Sequence, residues 1–176
     1  MIPQSQTHVT KDGRTGMMPI RWMIRMDMPE VLDIEGASFE FAWTADDFVS
    51  CLRQRNCIGM VAEEHERIVG FMVYELRKES LHLLNFAVHP KHRRCHVGKL
   101  MIDKLKDKLS QQRRRSISLN VRESNLQAQL FFRSQGLLAT DVVRGFYEDV
   151  NEDAYVMEYE MSRCEDYADP LRPLGR

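Results

Sequence analysis

The chain offers little sulfur chemistry: its four cysteines, Cys51, Cys57, Cys95 and Cys164, form no CxxC pair and stand at no zinc-like spacing from histidine. That argues against a disulfide-built scaffold or a structural zinc module. The thiols are expected to be reduced in a cytoplasmic protein that holds no metal. No apolar run approaches the roughly 20 residues of a membrane-crossing helix, and the first residues lack the apolar stretch of a secretory signal. Net charge is only −1 at pH 7, so no global field draws the molecule to nucleic acid or an anionic membrane. No internal repeat is present. What remains is one globular domain in 176 residues, 43% hydrophobic and 29% charged, with chain enough for a substantial core.

Residues 1–18 are polar and aperiodic and are expected to be a disordered lead-in; 162–176, with two prolines, read as a loose tail; 19–161 are the folded domain. Alternation marks a first strand over Ile20–Met26. Pro29 suits the first turn of a short helix, and Thr44 ahead of Asp46 and Asp47 caps a second that runs to about Arg53. Gly59–Glu63 and Ile68–Leu76 flank a polar connection and read as a hairpin, followed by a buried strand over Leu81–Val88. Val97, Met101, Ile102, Leu105 and Leu109 share one face of a long helix. Ser116–Val121 is a strand, Ser124 caps a helix from Asn125 to Gln135 that Gly136 stops, and strands near Ala139–Arg144 and Tyr155–Glu160 close the chain. The sum is an α/β (α+β) layer fold: a mixed, mostly antiparallel sheet with about four helices.

The chemistry concentrates in VHPKHRRCHVGKL, Val88 to Leu100. An apolar strand runs into a basic turn and then a helix, and the first amides of that helix have no internal partners and sit at its positive pole. A phosphate there gains hydrogen bonds, Gly98 lets it approach, and Arg93, Arg94 and Lys99 can add charge. The plainer alternative is a solvated basic turn before an ordinary helix.

The segment Arg93-Arg94-Cys95-His96-Val97-Gly98 resembles the pyrophosphate loop Arg/Gln-x-x-Gly-x-Gly/Ala of the GNAT superfamily of N-acetyltransferases, with His96 in place of the first glycine. LNFAVHP (Leu84–Pro90), LNVRESNLQAQLFF (Leu119–Phe132), RGFY (Arg144–Tyr147), EDAYVM (Glu152–Met157) and IEGASFEFAW (Ile34–Trp43) resemble the RimI-type ribosomal-protein alanine N-acetyltransferases within that superfamily. The resemblance implies a GNAT fold and an acetyl-CoA-dependent transfer to the N-terminal amine of a protein or peptide, a ribosomal protein among the options, by a monomer or homodimer. It implies that Phe86, Ala87 and Val88 offer backbone groups to pantetheine, that Arg94, Cys95, His96, Val97, Gly98 and Lys99 hold the pyrophosphate, and that Asn125 contacts the cofactor. Phe41, Trp43, Phe146 and Tyr147 would border the acceptor channel.

Two positions depart from the RimI-type pattern: Asn120 stands where that pattern has a glutamate base, and Phe132 where it has a tyrosine acid. Neutral Asn takes no proton from an ammonium, and Phe has none to give. Glu35, His82 or Glu79 could replace the base, alignment alone could suffice, or the domain could bind acyl-CoA without turnover. Acetylation of a small amine is a further alternative. Arg113-Arg114-Arg115 follows a helix whose lysines are interrupted by Asp103 and Asp107, with no aromatic platform beside it; a solvated face is expected there, not a nucleic-acid site.

Overall fold

A computed structural model of the chain describes residues 18–111, 113–148 and 150–161, together with the backbone of 8–9 and 15–16. Seven strands build one sheet: β3 (Ile20–Trp22), β4 (Cys57–Glu64), β5 (Arg67–Leu76), β6 (Ser80–Val88), β7 (Ser116–Arg122), β8 (Leu138–Tyr147) and β9 (Glu152–Glu160), in the order β3-β4-β5-β6-β7-β9-β8. β1 (His8–Val9) and β2 (Thr15–Gly16) form a separate antiparallel pair within the expected lead-in. The expected tail, 162–176, lies outside the described residues.

Every neighbouring pair in the large sheet is antiparallel except β6 and β7. Those two are joined by the helical crossover α3 (Val97–Gln111), and a crossover is what parallel neighbours require. β4 and β5 close through His65 and Glu66, at φ 51° and 61°, the paired left-handed residues of a tight hairpin turn.

Helices cover both faces. On one, α3 and α4 (Leu126–Ser134) lay Val97, Met101, Ile102, Leu105, Leu109 and Phe132 over Met72, Tyr74, Leu81, Leu83, Ile117 and Leu119. The α3 side chains are the same five that the sequence period put on one face. On the other, α1 (Met28–Gly36) and α2 (Ala45–Leu52) bring Val31, Ile34 and Phe48 against Val61, Phe71, Val73 and Ala87. Burying each large apolar side chain contributes about 1.5–3 kcal/mol, so the helices are held mainly by this contact rather than by helix propensity.

β4, β8 and β9 run up to three residues beyond the expected bounds, and two further boundaries differ for local reasons. The first strand stops at Trp22, because the Asp27 carboxylate accepts from Ile24 N (2.8 Å) and from Arg21 (2.8 Å), which curls Arg25–Asp27 into a short 3-10 turn. The cap of α4 is Asn125, whose Oδ1 accepts from Ala128 N at 3.1 Å, while the Ser124 amide donates to Glu152. Gly136, at φ 87°, ends that helix as expected.

Candidate active site

The parallel pairing of β6 and β7 lasts only from Ser80–Ser116 to Leu83–Leu119. Beyond it β6 stays on β5 as far as Gly70–Val88, and β7 stays on β9 as far as Arg122–Ala154. The strands therefore part, and the sheet opens a V-shaped slot between Leu84–Val88 and Asn120–Arg122. Backbone groups along such a slot have no ladder of their own and suit an extended ligand carrying amides. Phe86, Ala87 and Val88 line it.

A bulge sets which way they face. Val73 pairs with Asn85 but Tyr74 with Leu83, which leaves Leu84 as an extra residue. Leu81 and Leu83 point to the α3–α4 core; after the bulge Phe86 and Val88 do so again, and Asn85 and Ala87 turn to the α1–α2 side.

At the end of β6 the chain makes a 3-10 turn, Pro90–His92, and enters α3 through Arg94 and His96, at φ 63° and 62°. His96 thus adopts the left-handed backbone that a glycine would take at lower cost. Arg93 is a brace: it donates from Nε to Val88 O (3.1 Å) and from its guanidinium to Ser38 Oγ (3.0 Å). Arg94 is exposed and makes no ion pair or hydrogen bond with a described residue; Lys99 pairs with Asp103 at 2.6 Å. Cys95 is half-buried, and Val97 anchors the helix start in the core. A Cβ on Gly98 would lie 3.0 Å from Phe131 Cζ, so glycine lets α3 seat on the aromatic pair Phe86–Phe131, stacked at 5.7 Å. This turn fits a pyrophosphate: consecutive backbone amides open the helix, and cationic side chains stand around it.

The opposite side of the slot is built by three separated segments. The Arg122 guanidinium lies 3.8 Å from the Tyr147 ring centre and 5.4 Å from that of Phe41, and bonds Glu152 at 3.2 Å. Tyr147 OH donates to Asn120 O at 3.4 Å, with Phe146 edge-on to its ring. Phe41 is exposed at the rim, whereas Trp43 packs edge-on to Phe48 at 5.2 Å and belongs largely to the core. Arg122 escaped the sequence reading, although it stands in the quoted LNVR; its significance depends on two rings far off in the chain.

The candidate proton carriers separate clearly. Glu35, 1% exposed, accepts from Trp43 N (2.7 Å) on one oxygen and from Asn85 Nδ2 (3.1 Å) on the other. Burial pushes its carboxyl up, against the opposing pull of those two donors. With both oxygens engaged it braces the loop between α1 and α2 to β6. Glu79 is exposed before Ser80, about 16 Å by strand rise from the start of the slot at Leu84. Asn120 is half-buried on β7 beside the slot. Phe132 is 6% exposed, edge-on to Phe86 and Phe131, and acts as packing beneath the slot. His82 is buried, its Nδ1 2.8 Å from Ser118 Oγ. Asn125 is committed to its helix cap through Oδ1. Among the described residues no His, Cys, Asp or Glu cluster could hold a metal ion.

Comparison with known proteins agrees with this architecture. The model of the Acetyltransferase (GNAT) family matches residues 23–137. The [ribosomal protein bS18]-alanine N-acetyltransferase of Escherichia coli (strain K12) is 26% identical over 138 residues, 77% of this chain and 93% of that protein. The crystal structure of the Escherichia coli ribosomal-protein-S18-alanine N-acetyltransferase superposes with a TM-score of 0.74 at 25% identity, covering 83% of this chain and 95% of that one. Ard1 from Thermoplasma volcanium gives 0.75 at 26% identity, over 82% and 97%. The slotted sheet, the basic turn ahead of α3 and the family match together show that this chain belongs to the GNAT acetyltransferase family.

Proposed function

We propose that the protein transfers the acetyl group of acetyl-CoA to the N-terminal α-amine of a protein or peptide, by direct attack within a ternary complex. The observation that carries this is the parallel β6–β7 pair that parts after Leu83 and Leu119, with a basic turn at the end of β6 and an Arg122–Phe41–Tyr147 cluster across the slot from it, which supports an acceptor channel there. Pantetheine would extend along Phe86–Val88, and the pyrophosphate would meet the amides from Arg94 to Lys99. A β6 amide near Ala87 or Val88 would polarise the thioester carbonyl. Support for a protein N-terminus comes from relatives whose names specify ribosomal-protein alanine N-acetylation; a ribosomal protein is therefore the first acceptor to try. We further propose a cytoplasmic setting; no helix among the described residues is long and apolar enough to cross a membrane.

The test is transfer itself. Acetyl-CoA binding is established by calorimetry, and a panel of N-terminal peptides and polyamines is then assayed by mass spectrometry. An acetyl gain on a peptide α-amine is expected. Gain only on polyamines would favour a small-amine enzyme. Tight binding without product would favour an acyl-CoA-binding module, the reading that Asn120 and Phe132 in the family's base and acid positions keep open.

A further inference from the structure

The acceptor side of the sheet carries a polar line that the basic turn and the aromatic rim do not explain. On β7, Ile117, Leu119 and Val121 face the α3–α4 core, so Ser118, Asn120 and Arg122 share the opposite face at two-residue spacing, about 7 Å apart. On β6, His82 falls on that same face and directly opposite Ser118 in the parallel register. His82 is 8% exposed and Ser118 6%, and Nδ1 to Oγ is 2.8 Å. Nε2 has no hydrogen-bonding partner among the described residues. The line thus runs from the rim at Arg122, past the slot at Asn120, and ends in a buried imidazole one register position before the strands part.

We infer that Ser118 and His82 form a proton relay that takes up the proton released by the acceptor amine, in place of the glutamate that Asn120 replaces. The inference rests on the acetyl-transfer reading above. Asn120 orients a water between the amine and Ser118 Oγ. An ammonium acceptor gives one proton through that water and the Ser118 hydroxyl to His82, and becomes a neutral amine. Its nitrogen lone pair forms the C–N bond to the thioester carbon, and the C–S bond breaks. The second proton lost by nitrogen goes to the departing thiolate, giving the free thiol of coenzyme A, and imidazolium returns its own proton to solvent. Neither oxidant nor metal enters this balance.

Electrostatics are compatible with the role. Burial, followed by Arg77, lowers the His82 pKa, while Glu75, its register partner on β5, opposes them weakly. Glu75 is itself tied to Arg77 and Asn56, and nearby Cys51 on α2 is held as a neutral thiol, pushed up to about 12. The imidazole is therefore neutral at neutral pH and able to accept. As pH falls through its lowered pKa it charges and the relay stops.

The experiment measures kcat for acetylation of a peptide that the wild type turns over, at saturating acetyl-CoA and peptide, from about pH 5 to about pH 9, for wild type, His82→Gln and Ser118→Ala. NMR titration of His82 in the unmodified protein bound to acetyl-CoA runs beside it. Expected are an acid limb in wild-type kcat that coincides with the His82 titration, and loss of that limb with about 10²–10⁴-fold of kcat in each variant, acetyl-CoA affinity being unchanged. Wild-type kcat and limb retained in either variant would overturn the relay. So would a wild-type limb clearly apart from the His82 titration, a comparison that needs no variant to fold. A wild type that binds acetyl-CoA and acetylates nothing would instead overturn the acetyl-transfer reading, and the relay with it.

Discussion

At the scale of single residues the site is defined as much by small or unreactive side chains as by reactive ones. Gly98 makes room for Phe131, and a Cβ there meets the ring at 3.0 Å. Gly98→Ala is expected to cost about 1–3 kcal/mol in urea unfolding as the ring is displaced. Gly98→Glu should abolish acetyl-CoA binding by calorimetry, because its side chain starts against Phe131 and must push the first turn of α3, whose amides a pyrophosphate needs, off the aromatic pair; unchanged affinity would sink the assignment of the turn. Asn120 offers a complementary test. If the relay ending at His82 supplies the missing base, Asn120→Glu introduced into the His82→Gln variant should recover at least tenfold of the lost kcat at neutral pH. Failure to recover would mean that the β7 position no longer reaches the amine. Such roles were only partly legible in the sequence. Asn120 and Phe132 stood out by resemblance, but the His82–Ser118 contact joins residues 36 positions apart and exists only once the parallel register is known.

At the scale of elements, local chemistry was easiest to read where a side chain answers a nearby backbone group. Thr44 accepts from Asp47 N at 3.3 Å while the Asp47 carboxylate accepts from Thr44 N at 2.8 Å, the reciprocal capping that the sequence announces three residues apart. Thr44→Ala should cost about 1 kcal/mol, read as a lower urea midpoint with an unchanged slope. The apolar stripe of α3 was legible for the same reason: a 3.6-residue period leaves one buried face. The end of β3 was not. Alternation in Ile20–Met26 continues past Trp22, but Asp27 takes the Ile24 amide and Arg21 together, a local competitor that period-two counting does not weigh. The acceptor rim was legible only in pieces. Phe41 and Tyr147 could be named, yet Arg122, which lies close to both rings, sits on a third element. Arg122→Ala is expected to raise KM for the peptide about tenfold with a smaller change in kcat, since it removes a shaper of the channel rather than a reacting group. An equal fall in kcat with unchanged KM would place it in the chemistry instead.

For the molecule as a whole, the parting of β6 and β7 couples folding to ligand. A cofactor extended along Phe86–Val88 adds hydrogen bonds only to the folded sheet, so acetyl-CoA at a hundred times its Kd should stabilise the protein by about 2.7 kcal/mol. A clear rise in thermal midpoint is expected, and its absence at saturating ligand would argue against binding in the slot. The bulge at Leu84 has a broader consequence, which concerns parity. Strand side chains alternate between two sides, and one additional residue exchanges which of the odd and even positions occupies each side downstream. Because Leu84 is that extra residue, Leu81 and Leu83 hold the α3–α4 side before it and Phe86 and Val88 hold it after; removal of Leu84 would close the bulge and leave Asn85 on the side of the Glu35 carboxylate and Phe86 in the core. β6 is thus a strand that has already absorbed a change of one residue in length: the odd step is taken up by the unpaired Leu84, and each residue beyond it keeps the side on which its partner in β5 places it.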